Sequence, residues 1–148
     1  MGTSSSIAVV HSDNSISQIY CHYDGYLEHV GKILLENYNT QELVEELISG
    51  GNLSVLGPNI KPKTDTHSFE TPEAGVCIYY NRDRGEIGND TLNFKDIKNF
   101  LKIGLLEEYN YIFKDGEWLV SFDDRQMLIK LTNEFIDLFN GISDLNDK

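Results

Sequence analysis

The run ISQIYCHYDGYLEHVGKILLENY, Ile16 to Tyr38, changes periodicity halfway along. Up to Tyr23 it alternates. Ile16, Gln18, Tyr20 and His22 point one way; Ser17, Ile19, Cys21 and Tyr23 point the other, as in a strand. Asp24–Gly25 is turn chemistry and ends that strand. Beyond it, Leu27, Val30, Leu34 and Tyr38 fall at spacings of three and four, with Ile33 and Leu35 beside them. That is one apolar stripe on a helix starting near Tyr26, with Asp24 placed to cap its first turn. Upstream, IAVVH (Ile7–His11) reads as a further strand and SDNS as a turn, so the two strands form an N-terminal hairpin.

The rest of the chain extends the same alternation of elements. NYNT breaks the first helix, and Thr40 caps a second, QELVEELIS, with Leu43, Val44, Leu47 and Ile48 inward and Gly50–Gly51 as its stop. All three prolines then fall in one irregular stretch between Gly51 and Gly75. A loop of that length in a compact domain is functional or mobile. Val76–Asn81 reads as a strand with RDRGE at its exit, and NFKDIKNFLKIG as a short helix with Ile97, Phe100 and Leu101 inward. EEYNYIFKDGEWLVSF is a hairpin about a type I′ pair, Asp115–Gly116. DDRQMLIKLTNEFIDLFNG reads as a closing helix with Leu128, Leu131, Phe135 and Leu138 as its stripe. Asp123 and Asp124 stand at that helix's positive end and Gly141 at its stop. The expectation is one α+β domain: about five mostly antiparallel strands, helices packed on one face, and residues 1–6 and 142–148 frayed.

Charge narrows the partners. The 148 residues carry 24 acidic and 12 basic side chains, a formal charge of −12. Such a surface repels nucleic-acid phosphate, so direct nucleic-acid binding is not expected. It suits a basic partner, or a DNA mimic built on Glu42, Glu45, Glu46 and carboxylates of the closing helix. No apolar run approaches a membrane span, and the N-terminus lacks a basic signal-peptide region. Gly2 and Ser6 fit an N-myristoylation pattern, but nothing polybasic follows. The expected compartment is the cytoplasm, with Cys21 and Cys77 as free thiols.

Cys21, His22, His29, His67 and Cys77 are the residues from which a zinc set could be drawn. Cys21 and His22 are adjacent on a strand and face opposite ways, so no metal and no cofactor is expected. A thiol- or metal-dependent enzyme would use Cys21, His22 and Asp24, and would need a thiol made acidic by a cation or helix terminus. Arg82 and Arg84 are scarce positive charges in a glycine-containing segment, RDRGEIGND, and could anchor a phosphate or carboxylate. Tyr20, Tyr23 and Tyr26 flank the Asp24–Gly25 turn, and Tyr79–Tyr80 precede Arg82. Neighbouring strands would turn those rings into a pocket able to stack a base or hold a side chain.

The segments IYCHYDGYLEHVGKILLENY, LISGGNLSVLG, HSFETPEAGVCIYYNRDRGE and EYNYIFKDGEWLVSF together resemble a family of small bacteriophage and prophage proteins. The family mark is Cys-His-x-Asp-Gly-Tyr with Arg-Asp-Arg-Gly-Glu far downstream, matched over about Ile16 to Phe122. This chain departs at Tyr23, Leu27, Asn37 and Asn52, where the pattern has tryptophan, proline, histidine and aspartate. Loss of that histidine and aspartate argues against a mechanism needing them. The resemblance implies a phage setting without a reaction, and phage accessory proteins of this size act on host factors such as antiviral defence components. The expected working surface joins Tyr20, His22, Tyr23, Asp24 and Tyr26 to Tyr80, Arg82, Arg84 and Glu86, with the Gly51–Gly75 loop between. Its partner would be a host protein or a nucleotide-like small molecule, and a homodimer is compatible with the size.

Overall fold

The computed structural model describes residues 3–122 and 127–146, with side chains through residue 139. Asp123, Asp124 and Gly2 lie outside the described residues. The strands are β1 (Ser5–Val10), β2 (Ile16–Cys21), β3 (Leu53–Val55), β4 (Ile78–Tyr79), β5 (Leu92–Phe94), β6 (Tyr109–Lys114), β7 (Glu117–Phe122) and β8 (Ile129–Lys130). The helices are α1 (Lys32–Asn37), entered through a π-type turn at Leu27–Gly31, α2 (Gln41–Ser49), α3 (Tyr80–Arg84), α4 (Ile97–Ile103) and α5 (Asn133–Asn146).

Eight strands form one open sheet in the order β4-β3-β2-β1-β6-β7-β8, with β5 also paired to β2. The expectation of about five strands is too low, because β3, β5 and β8, of two or three residues each, are too short to show a period. β1–β6 and β2–β3 run parallel; β1–β2, β2–β5, β3–β4, β6–β7 and β7–β8 run antiparallel. β1 begins at Ser5, and Ser5 and Ser6 are buried against β6 rather than frayed.

Both faces of the central strands are buried. Ile7 and Val9 of β1 and Ile19 and Cys21 of β2 join Leu34, Val44, Leu47 and Ile136 from helices in the larger cluster. Ala8, Ile16 and Ile112 join Phe100 of α4 in a second cluster. Neighbours along one strand divide between the two clusters, as alternation demands. The expectation of helices on one face leaves this second cluster out.

Local chemistry explains most boundaries. Thr40 Oγ1 accepts the Leu43 N–H and caps α2; Asp96 does the same for α4 through the Asn99 N–H. Asp115 and Gly116 both have positive φ, 52° and 81°, as a type I′ turn requires. Trp118 Nε1 donates to the Tyr38 carbonyl at 2.9 Å and ties that hairpin to the end of α1.

The closing helix starts later than its apolar spacing predicts. Ile129–Lys130 pairs with β7 as β8, so Leu128 and Leu131 precede the helix, and Thr132 Oγ1 accepts the Phe135 N–H at its start. Leu131 and Ile136 are buried, while Leu138 is exposed. α5 runs through Gly141 to Asn146, so neither the glycine stop nor a frayed tail from residue 142 describes it. A spacing that satisfied both a strand edge and a helix stripe concealed the change.

Candidate functional site

The Asp24–Gly25 turn is built by close approach. Gly25 N–H donates to Thr3 O at 2.7 Å, and Tyr111 Oη donates to Gly25 O at 2.7 Å. A Cβ at Gly25 would sit 2.7 Å from Ser5 Cβ and 2.8 Å from Thr3 O, so the position excludes a side chain. Asp24 takes φ 58° and accepts the Val30 N–H through its backbone carbonyl. The helical turn that follows has no side-chain cap, which corrects the role expected of the Asp24 carboxylate.

The downstream RDRGE segment is also not a strand exit. β4 stops at Tyr79, and Tyr80–Arg84 turns into the short α3, ended by Gly85 at φ 67°. That left-handed residue is the reason for glycine between Arg84 and Glu86. Tyr80 N–H donates to Asn52 O, and Tyr20 N–H donates to Asn52 Oδ1 at 2.9 Å. Asn52 therefore joins β2 to α3 and brings the two motifs together.

Arg82 is not a free anchor. Its Nε and one terminal nitrogen hold both Asp83 oxygens, at 2.8 and 2.9 Å. Its terminal nitrogens also donate to Ile60 O and Cys77 O at 2.7 and 2.8 Å. Burial raises the Asp83 carboxyl, but Arg82 and the Tyr79 N–H outweigh it and hold the group below the usual carboxylate range. On its other side Asp83 faces His67, whose Nε2 is 3.5 Å away. Phe69 N–H donates to the Asp83 carbonyl. Arg82 and Asp83 thus staple the long loop to α3.

Glu73 folds that loop on itself. Its carboxylate accepts the Lys63 and Thr64 N–H groups, which hold it below its ordinary value, while its own N–H donates to His67 Nδ1 at 2.9 Å. The loop between β3 and β4 is therefore an ordered platform rather than a slack connection.

Arg84 differs from Arg82 in its partners rather than in exposure, its side chain being 26% exposed against 35%. Its guanidinium lies 4.1 Å from the centre of the Phe69 ring and 5.0 Å from that of Tyr80, with Glu86 3.1 Å from Nε. Ser68, Phe69, Glu70, Asp83, Arg84 and Glu86 line a cleft of about 290 Å³ there. Tyr20 Oη is 2.6 Å from His22 Nδ1, and the His22 ring meets Tyr23 edge-on at 4.4 Å. Burial first, then the Glu107 charge and Tyr80, raises the Tyr20 hydroxyl; burial chiefly raises that of Tyr80, which also feels Tyr23. Beside Tyr20 a smaller cleft of about 170 Å³ opens against Asn52, Asp90, Leu106 and Glu107.

The structure thus assembles Tyr20, His22, Tyr23, Tyr80, Arg84 and Glu86 into one surface, adds Phe69 and Glu70, and removes Arg82 to a supporting role. Tyr26 is exposed but packs obliquely on His29. Phe69 is the residue the sequence reading missed. A large aromatic in a polar loop, HSFE, was the available signal.

The rival constellations fare differently. Cys21 is fully buried, and burial, reinforced by Cys77, pushes its thiol up to about 12. It presents no thiolate at neutral pH, and His22 projects from the other face of β2 toward Tyr20. Burial likewise raises Cys77, whose sulfur lies 3.5 Å from Tyr38 Oη. Among the described residues no three His, Cys, Asp or Glu side chains converge as a metal set. For DNA mimicry, Glu45 is engaged by Gln41 and His11, and Glu46 lies 3.8 Å from Lys61. No helix among the described residues is long and apolar enough to cross a membrane.

No family model, curated protein or solved structure matches the chain.

Proposed function

We propose that this chain is a binding protein, of the phage accessory kind its motifs resemble, that neutralises a host protein through the surface joining Tyr20, His22 and Tyr23 to Phe69, Tyr80, Arg84 and Glu86. The antiviral defence machinery is the class of target the phage setting suggests. The observation that carries the reading is Arg84, packed against the rings of Phe69 and Tyr80 and paired with Glu86. Aromatic and arginine side chains held in place by their neighbours lose little freedom on binding, which is why they dominate protein interfaces.

A protein partner fits this surface better than a nucleotide. Sequestering a nucleotide-like molecule would call on the guanidinium groups of both Arg82 and Arg84. Arg82 is committed to Asp83 and two loop carbonyls, and Arg84 shares its cleft with Glu70 and Glu86. Among the residues lining that cleft the carboxylates of Glu70, Asp83 and Glu86 outnumber Arg84, which disfavours phosphate and favours a basic side chain from a partner. Cross-linking in host cells, with contacts mapped by mass spectrometry, tests the reading. Partner peptides joined to the Phe69–Glu86 region, lost in Arg84→Glu, support it. Cross-links centred elsewhere, or unchanged by that substitution, defeat it.

A further inference from the structure

At the turn end of the first hairpin, remote along β2 from Tyr20–Tyr23, three side chains from separate elements line up. Ser17 Oγ is 2.7 Å from His11 Nε2, and His11 Nδ1 is 2.7 Å from Glu45 Oε2. Ser17 belongs to β2, His11 follows β1, and Glu45 belongs to α2. Gln41 Nε2 donates both to Glu45 Oε2 and to Val10 O, at 2.9 Å each, and fixes the carboxylate against the hairpin. His11 and Glu45 are 30% and 39% exposed, and they line a cleft of about 470 Å³ with Gln41, Asn14 and Lys114.

The order of groups is what matters. A carboxylate on Nδ1 holds the imidazole proton there and leaves Nε2 as the acceptor facing the serine hydroxyl. That is the nucleophile–base–orienter arrangement of hydroxyl catalysis. The Ser17 hydroxyl donates to Asn93 Oδ1 at 2.8 Å, so the reactive bond requires it to rotate onto His11 Nε2. Nothing in the spacing of His11, Ser17 and Glu45 forms a sequence motif, which is why the chain alone does not show it.

We propose that Ser17, His11 and Glu45 form a catalytic relay for small polar carboxylic esters, with Ser17 as nucleophile, His11 as base and Glu45 as positioning residue. Ser17 Oγ bonds to the ester carbonyl carbon while its proton moves to His11 Nε2. The carbon–alkoxy bond then breaks, and the departing alcohol takes that proton. Water attacks the acyl-serine with His11 again as base, which frees the carboxylic acid and restores Ser17. No oxidant or metal is required. The cleft that His11 and Glu45 line is polar, with Lys114 at its wall, which suits a small polar alcohol group departing beside His11 rather than a lipid. This proposal is independent of the partner-binding surface.

The test uses the full chain with a fluorophosphonate probe, followed by peptide mass mapping. Attack by Ser17 forms the Oγ–phosphorus bond, fluoride leaves, and the serine proton passes through His11 to solvent. The expected result is one adduct, on Ser17. His11→Gln, checked for folding by circular dichroism, should lose the adduct, and Glu45→Gln should slow it by at least about tenfold. No adduct on Ser17 in the wild-type chain, or one formed as fast in folded His11→Gln, overturns the proposal and leaves the three residues as a tie between hairpin and α2.

Discussion

His67 Nε2 stands 3.5 Å from Asp83 Oδ1, and the two side chains are only 1% and 4% exposed. The Glu73 N–H donates to His67 Nδ1, so that nitrogen is the acceptor, and the buried Nε2 has the carboxylate as a 3.5 Å neighbour without a hydrogen bond to it. Arg82 holds the same carboxylate from the other side. One buried aspartate thus joins the long loop, through His67, to α3.

Removing that carboxylate should release the loop. Asp83→Ala leaves Arg82 and His67 facing a void, and should lower stability by about 3 kcal/mol, measured by urea unfolding. The sign with pH follows from the carboxyl being held below its ordinary value. Its contribution is complete above the ordinary carboxylate value and is lost as pH falls through the lower folded one. Asp83→Asn should therefore flatten the acid limb of stability below about pH 4. An acid limb identical to wild type would contradict the staple.

The two arginines should separate cleanly. Arg82→Ala removes charged hydrogen bonds to Asp83 and to the Ile60 and Cys77 carbonyls, and should cost about 2 kcal/mol of stability. Arg84→Ala removes a partly exposed ion pair and two ring contacts, and should cost less than about 1 kcal/mol. Thermal unfolding of both variants checks this. Equal losses would place Arg84 in the framework rather than on the working surface.

Gly25→Ala drives a methyl group into Ser5 Cβ and Thr3 O. Overpacking of this kind should cost about 2 kcal/mol. Hydrogen exchange should show the loss first at the start of β1. An unchanged melting temperature would refute the close approach.

Neither cysteine should react in the folded protein. Cys21 is held near 12 by burial, and Cys77 is buried beside the Tyr38 hydroxyl. A thiol reagent at pH 8 should titrate no thiol until denaturant is added, and then both. Rapid reaction of one thiol in the native state would reopen the thiol-enzyme reading.

Much of this fold is written in local patterns. The β1–β2 and β6–β7 hairpins, the Thr40 cap and the division of Ile16 from Ile19 between faces all follow from alternation and turn chemistry, which need only neighbouring residues. β3 and β5 are too short to show a period, and two further features escape such reading. β8 hides inside a helical-looking run, because Leu128 and Leu131 suit either element. α3 hides after Tyr79, because five residues show no period. The candidate surface was half legible. Tyr20, His22, Tyr23, Tyr80, Arg84 and Glu86 do meet, but Arg82 and Arg84 look alike in sequence. Only the return of the loop, which places Ile60 O beside one and Phe69 beside the other, gives them different work.

The central claim is that the Arg84 surface holds a host protein. The direct measurement is the native mass of the chain purified from host cells, beside that of Arg84→Glu. The account predicts a mass equal to the chain plus one partner protein, collapsing to the bare chain in the variant. A bare wild-type chain, or an increment of nucleotide size, would contradict it.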